Sequence, residues 1–99
     1  MSFIVVMVEL LPKEGKEEEL IPLAEALVEE TLKEEGNIDY KFLKSNDGTF
    51  HIIEQWESVE ALSEHMASSH FKSFSKESRE YIEDEEIKVL RADELNLYE

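Results

Sequence analysis

Two hydrophobic periods alternate along this chain. Phe3–Val8 is an unbroken apolar run, β-branched at Ile4, Val5, Val6 and Val8 and continued by Glu9-Leu10-Leu11. Such a run predicts an inner strand covered on both faces. Pro12 and Gly15 close it. Between Lys16 and Glu35 the period changes: Leu20, Leu23, Ala24, Leu27, Val28 and Thr31 form the stripe of an amphipathic helix, with Glu and Lys opposite. Pro22 lies inside that stripe and removes one backbone donor, which predicts a kink or a late helix start. Ile21 and Leu32 fall off the stripe, as rim or interface residues would. Gly36-Asn37, two residues that tolerate positive φ, are expected to end the helix.

The second half repeats the change of period. Ile38, Tyr40 and Phe42 alternate with Asp39 and Lys41, a strand running to Lys44. Asn46-Asp47-Gly48 predicts a hairpin with Asp-Gly as its turn pair. The next strand sets Phe50, Ile52, Glu54 and Trp56 on one face, and His51, Ile53, Gln55 and Glu57 on the other. Ser58 is a good helix N-cap, with Glu60 in the first turn where the dipole favours an anion. That helix presents Leu62, His65, Met66 and Ser69. Ala67-Ser68-Ser69 weakens it, and a second helical piece carries Phe71, Phe74, Ser78, Tyr81 and Ile82. Glu83-Asp84-Glu85-Glu86 reads as a solvated loop, Ile87–Ala92 as a last strand, and Asn96-Leu97-Tyr98 as an apolar tail end.

The order β-α-β-β-α-β predicts an α+β fold of the ferredoxin-like kind, residues 1–99 forming a single domain around one antiparallel sheet with its helices on one face. The helices can cover only that face. Yet Phe3–Val8 is apolar on both, and Leu43, Ile53 and Leu90 fall on the second face of their strands. A lone sheet would leave that face wet, so a homodimer packed sheet to sheet is expected.

Charge then narrows the partners. Twenty-five acidic residues against ten basic give a net charge of −15, which repels nucleic acid and anionic membrane surfaces. The longest apolar run is too short to span a bilayer, and no signal-peptide pattern precedes it. A cytoplasmic location follows as an expectation. With no cysteine, thiol nucleophiles, disulfides and Cys-ligated metals are excluded.

The candidate chemistry gathers between Thr49 and Phe74, which holds the single Trp and two of the three His residues besides His51 at its start. Trp56 could stack on a planar ligand or could simply fill the space between sheet and helices. His65 shares an apolar stripe with Leu62 and Met66: a general base near neutral pH, or a core histidine bonded to a neighbour. His70 follows five residues later. On one regular helix those two side chains would diverge by roughly 140°; the break after Ala67 could reunite them, but no third ligand stands nearby, so no metal is expected. Glu54 shares the face of Ile52 and Trp56, where a buried carboxylate must be paired or its pKa raised. His51 points to the opposite face. Tyr40 adds aromatic surface on the neighbouring strand. No glycine-rich phosphate loop or basic patch offers a nucleotide cofactor an anchor.

Over nearly its whole length the chain resembles the antibiotic biosynthesis monooxygenase family of the dimeric α+β barrel superfamily. The likeness rests on Lys13-x-Gly15-Lys16-Glu17-x-x-Leu20 and on Glu35-Gly36-Asn37 before Tyr40. Its most specific part is Glu54-x-Trp56-x-Ser58, then Glu60-Ala61-Leu62-x-x-His65-x-x-Ser68-x-His70-Phe71. The resemblance implies a dimer with a pocket in each subunit between sheet and helices. It implies enzymes among cofactor-free oxygenases of phenols and quinols, isomerase-like enzymes of a phosphorylated signal sugar, or haem-degrading enzymes. The haem branch carries an Asn on the first strand and a Trp and a later His on the second helix; here His65 and Ser75 hold the latter two positions and the Asn is missing. A signal-sugar phosphate would be poorly attracted by this charge. The expectation is therefore cofactor-free oxygenation of a small phenol or hydroquinone by O2, with His65 as base, His70 as second choice and Trp56 as aromatic wall. Glu54, Tyr40, Ile52, Phe71 and Leu62 would surround the substrate. A dimeric domain that binds a small aromatic molecule without turnover is the rival, favoured if His65 is bonded shut inside the core.

Overall fold

A computed structural model describes residues 2–96 of the chain. Strands β1 (Ser2–Pro12), β2 (Asn37–Lys44), β3 (Phe50–Trp56) and β4 (Ile82–Asp93) form one sheet in the order β2-β3-β1-β4. Every neighbouring pair is antiparallel. Helix α1 (Glu17–Thr31) joins β1 to β2, while α2 (Val59–Ala67), α3 (Ser69–Ser78) and a 3-10 turn (Arg79–Tyr81) join β3 to β4. This is the expected α+β, ferredoxin-like order, with the second helical segment split in two. No helix among the described residues is long and apolar enough to cross a membrane.

Register decides which side chains the helices cover. Ile4 faces Trp56, Val6 faces Glu54, Val8 faces Ile52 and Leu10 faces Phe50, so these eight share one side of the sheet. Leu20 and Leu27 of α1 close over them, and Ala61, Leu62 and Phe74 pack at the edges. The burial of β3 alternates without a fault, Phe50, Ile52, Glu54 and Trp56 being buried. On the other side, Met7 pairs with Ile53, Glu9 with His51 and Val5 with Leu90, as the alternation predicted. Among the described residues no helix covers that face, and Leu43 and Leu90 are about half exposed on it.

Several local expectations need correction. Helix α1 starts at Glu17 and runs through Pro22 without a break, because three acidic residues in its first turn complement the dipole and its core stripe pulls it inward. Gly36 does not take positive φ; that conformation is found at Gly15 and Gly48. Gly36 is small for another reason: a Cβ there would collide with the Cβ of Ala61 on α2. Its carbonyl also accepts from Glu57 N at 3.0 Å, so loop and strand end are in direct contact. Ile38 is exposed rather than facing inward with Tyr40, because the ladder shifts between Asn37 and Asp39.

The hairpin uses three loop residues, not an Asp-Gly pair. Gly48 N donates to Ser45 O and Ser45 N to Thr49 O, while Gly48 takes φ +90° and Asp47 stays at negative φ. Met66 is exposed, since α2 turns Ala61, Leu62 and His65 inward and ends one residue later. The helical spacing of Phe71, Phe74 and Ser78 ends there, so Ile82 opens β4 instead. Glu83–Glu86 is strand, not loop: Asp84, Glu85 and Glu86 pair with Leu11, Leu10 and Glu9. Backbone pairing to an inner strand outweighs the weak strand preference of acidic side chains. The tail end at Leu97-Tyr98 lies outside the described residues.

The close approach of Gly36 to Ala61 predicts that Gly36→Ala costs about 1–3 kcal/mol in urea unfolding, the usual range for overpacking. Adding Ala61→Gly should recover part of that loss despite its helix-propensity cost of about 1 kcal/mol. Simple additivity of the two losses would show that the residues do not meet.

Candidate active site

The site is built where three chain ends converge. Ser58 caps α2 by accepting from Ala61 N at 3.1 Å, which brings the helix directly off the end of β3. Ser68 then breaks the helix with extended backbone. Its hydroxyl donates to His65 O at 2.6 Å and accepts from Phe71 N at 3.2 Å, so one residue ends α2 and starts α3. This reversal puts His65, in the last turn of one helix, beside His70, in the first turn of the next. Their ring centroids lie 5.9 Å apart. The two histidines do not diverge as they would on one regular helix, because they lie on two helices that meet at Ser68.

Glu34, in the turn after α1, holds both. One of its oxygens, Oε2, accepts from His65 Nδ1 at 2.6 Å and from His70 Nε2 at 2.8 Å. Sequence reasoning missed Glu34, and nothing local marks it among twenty-five acidic residues. His65 is 1% exposed, enclosed by the rings of Trp56, Tyr40 and Phe71 at 4.6, 5.5 and 5.1 Å. Burial lowers its pKa, opposed by the hydrogen bond and charge of Glu34. The neutral ring therefore carries its proton on Nδ1, and Nε2 is buried with no partner among the described residues. The three donor atoms lie within 4.8 Å of one another, so the missing third ligand of the sequence argument is Glu34.

On the other side of Trp56 lies a second carboxylate. Glu54 Oε1 accepts from Trp56 Nε1 at 2.8 Å. Burial pushes the Glu54 pKa up to about 7; the Trp56 N–H opposes this and the Glu34 charge adds to it. The shift amounts to roughly 3 kcal/mol against ionisation at 1.36 kcal/mol per unit. Burial, then the charges of Glu54 and Glu34, raises the Tyr40 hydroxyl, which stays protonated.

A cavity of about 470 Å³ opens between sheet, α3 and the start of β4. Tyr40, Ile52, Glu54 and Phe71 line it, together with Val8, Leu10, Leu27 and Phe74. The exposed Ser75, Arg79, Glu83, Asp84 and Glu85 line its outer part and the buried Ser78 lines it too, none of which the sequence assigned as a substrate contact. His65, His70, Trp56 and Leu62 are not on its wall. His65 and Trp56 sit one layer behind Glu54, and His70 lies towards the surface. His51 is on the far sheet face, near Ser45 Oγ at 3.3 Å.

The family model described as antibiotic biosynthesis monooxygenase matches residues 3–77. The chain belongs to the antibiotic biosynthesis monooxygenase family. A Bacillus subtilis (strain 168) relative named "Putative monooxygenase YcnE" is 30% identical over 81 residues, covering 80% of this chain and 85% of its own. A conserved protein from Methanosarcina mazei Go1 has the same fold with a TM-score of 0.88 at 32% identity, covering 94% of this chain and 95% of its own. Another, from Bacteroides thetaiotaomicron VPI-5482 and described as a possible oxidoreductase, has a TM-score of 0.86 at 28% identity, covering 92% and 98%. Within the monooxygenase match fall Glu34, Tyr40, Glu54, Trp56, His65 and His70, whereas Ser78, Arg79 and the acidic mouth lie beyond it.

Because the Trp56 N–H stabilises ionised Glu54, Trp56→Phe should raise the Glu54 titration midpoint above that of the parent. Carboxyl-detected NMR titration reads this directly, and an unchanged or lowered midpoint would contradict the hydrogen bond.

Proposed function

We propose that this monooxygenase-family chain oxygenates a small phenol or hydroquinone in the cavity under α3, without a cofactor, and works as a sheet-to-sheet homodimer. The observation that carries the proposal is Glu54: a carboxyl on the cavity wall, buried so that its pKa is pushed up to about 7, with the Trp56 N–H donated to its Oε1. A base with pKa near the working pH gives proton transfer its best compromise between availability and driving force. Glu54 takes the substrate hydroxyl proton. The resulting phenolate supplies electrons to O2 itself, and for a hydroquinone one oxygen atom enters the ring while the other leaves as water. Val8, Leu10, Phe71 and Phe74 keep the anion away from bulk water, which strengthens its interaction with the fixed dipoles around it.

In this assignment Glu54 meets the substrate and His65 does not. His65 stacks on Trp56 and is held by Glu34, so it positions the Trp56 N–H on Glu54. The mouth supports a neutral or cationic substrate: Glu83, Asp84 and Glu85 stand there against one cation, Arg79. A phosphorylated sugar would meet repulsion. The closure of His65 by Glu34 also favours the rival, a domain that binds an aromatic molecule without turnover. Glu54 tilts the balance, since a neutral ligand needs no titrating carboxylate.

Oxygen uptake with a panel of hydroquinones tests the chemistry. The rate should rise with pH through about 7 as Glu54 ionises. Glu54→Gln keeps the acceptor for Trp56 yet should lower the rate by roughly 10² or more. His65→Gln should lower it less, and His51→Ala should leave it near the parent. Saturable quinol binding with no uptake by the parent would establish the binding domain instead.

Linkage offers a check on the same carboxylate. Its folded pKa is raised, so its contribution to stability is complete below about 4.5 and is lost as pH rises through about 7. Glu54→Gln should flatten stability across that window, measured by urea midpoints. For the dimer, sedimentation at micromolar concentration should give about twice the 11.6 kDa chain mass. Leu90→Asp should weaken association by placing an unpaired charge in the sheet interface.

A further inference from the structure

Glu34, His65 and His70 form a cluster off the cavity wall, whose part in the proposed oxygenation is only to position Trp56. We propose that they bind one divalent transition-metal ion of the zinc type, at a site separate from the cavity. The donors come from three elements: the turn after α1, the end of α2 and the start of α3. His65 Nδ1 and His70 Nε2 converge on the same oxygen of Glu34, and all three atoms lie within 4.8 Å. Two imidazoles and one carboxylate suit zinc and its first-row neighbours. Magnesium and calcium, which need shells of oxygen, fit the set poorly.

The spacing is that of a site closed on protons. The N–H groups now fill the gaps, at 2.6 and 2.8 Å between heavy atoms. An ion about 2.0–2.1 Å from each donor needs neighbouring donors about 3.3 Å apart, so the two Glu34–histidine pairs must open by roughly half an ångström while the two histidine nitrogens, within 4.8 Å of one another, draw together. The elements differ in their freedom to do so. His65 is packed among three rings and cannot move far. Glu34 lies on a turn and His70 opens a helix; their side chains are 17% and 21% exposed. They swing and His65 stays. That exposure also leaves a fourth position open to water.

One feature of the ring limits the affinity. With the ion on Nδ1, the His65 proton moves to Nε2, which has no acceptor among the described residues. Ligating histidines ordinarily donate that proton, and losing such a partner costs about 10- to 100-fold in affinity. A micromolar dissociation constant is therefore expected, and the ion would tie the end of α1 to the junction of α2 and α3.

Isothermal titration of the metal-stripped protein with Zn2+ tests this independently of turnover. One ion per chain should bind, at least tenfold more weakly in His70→Ala and in Glu34→Gln and unchanged in His51→Ala. Co2+ should give visible d–d bands that the same two variants lose. At a hundredfold excess over the dissociation constant, Zn2+ should raise Tm by roughly 10 °C. Mg2+ should produce none of these effects. Equal Zn2+ affinity in the parent and His70→Ala would assign binding to the acidic surface and overturn the proposal. Absence of saturable binding would leave the three residues as a hydrogen-bonded clamp and overturn it equally.

Discussion

A carboxylate held inside an apolar layer organises this molecule. Glu54 lies between Ile52 and Trp56 on the one face of β3 that the helices cover, so the strand cannot bury its neighbours without burying it. Its charge is expensive there, and the fold lowers the expense in two ways. The Trp56 N–H supplies a fixed donor at 2.8 Å, and the carboxyl remains protonated up to about pH 7. Around that group the packing leaves a cavity. That cavity is lined by the buried acid together with apolar side chains and, at its outer part, further acidic ones.

Behind it the polar groups continue outward. Trp56 stacks near His65, His65 bonds Glu34, and Glu34 bonds His70 at the surface. A single acidic oxygen thus joins the turn after α1 to the two helices that Ser68 links. The same oxygen fixes the tautomer of His65 and crowds Glu54 electrostatically, so the two carboxylates are coupled through the aromatic layer that separates them. In a chain of net charge −15 the surface acids are mutually repulsive and mostly solvated. Glu34 and Glu54 differ from them in being largely enclosed, with protein donors in place of water at each.

Much of the site was legible from alternation alone. The period of β3 placed Glu54, Ile52 and Trp56 together and sent His51 to the far face, and both follow from the fixed two-residue repeat of a strand. Helical spacing put His65 inward, but it could not show how far inward. Whether His65 reaches a cavity or hides behind Glu54 depends on the angle at which α2 leaves Ser58. Met66, at the next position, was assigned inward by the same spacing and is exposed. Glu83–Glu86 misled for a related reason, since acidic composition argues for loop until an inner strand with free backbone groups lies alongside.

The amino-acid sequence by itself determined the family, the α+β order, the covered and uncovered sheet faces and the identity of the buried β3 carboxylate. All of these are set by local periodicity or by short ordered motifs. Tertiary structure alone decided the rest. Glu34 meets His65 and His70 across 31 and 36 residues, and Gly36 is required by contact with Ala61 rather than by its own backbone angle. The physical reason is common to both: a hydrogen bond or a van der Waals limit between distant segments depends on where packing puts them, and no local pattern encodes that distance.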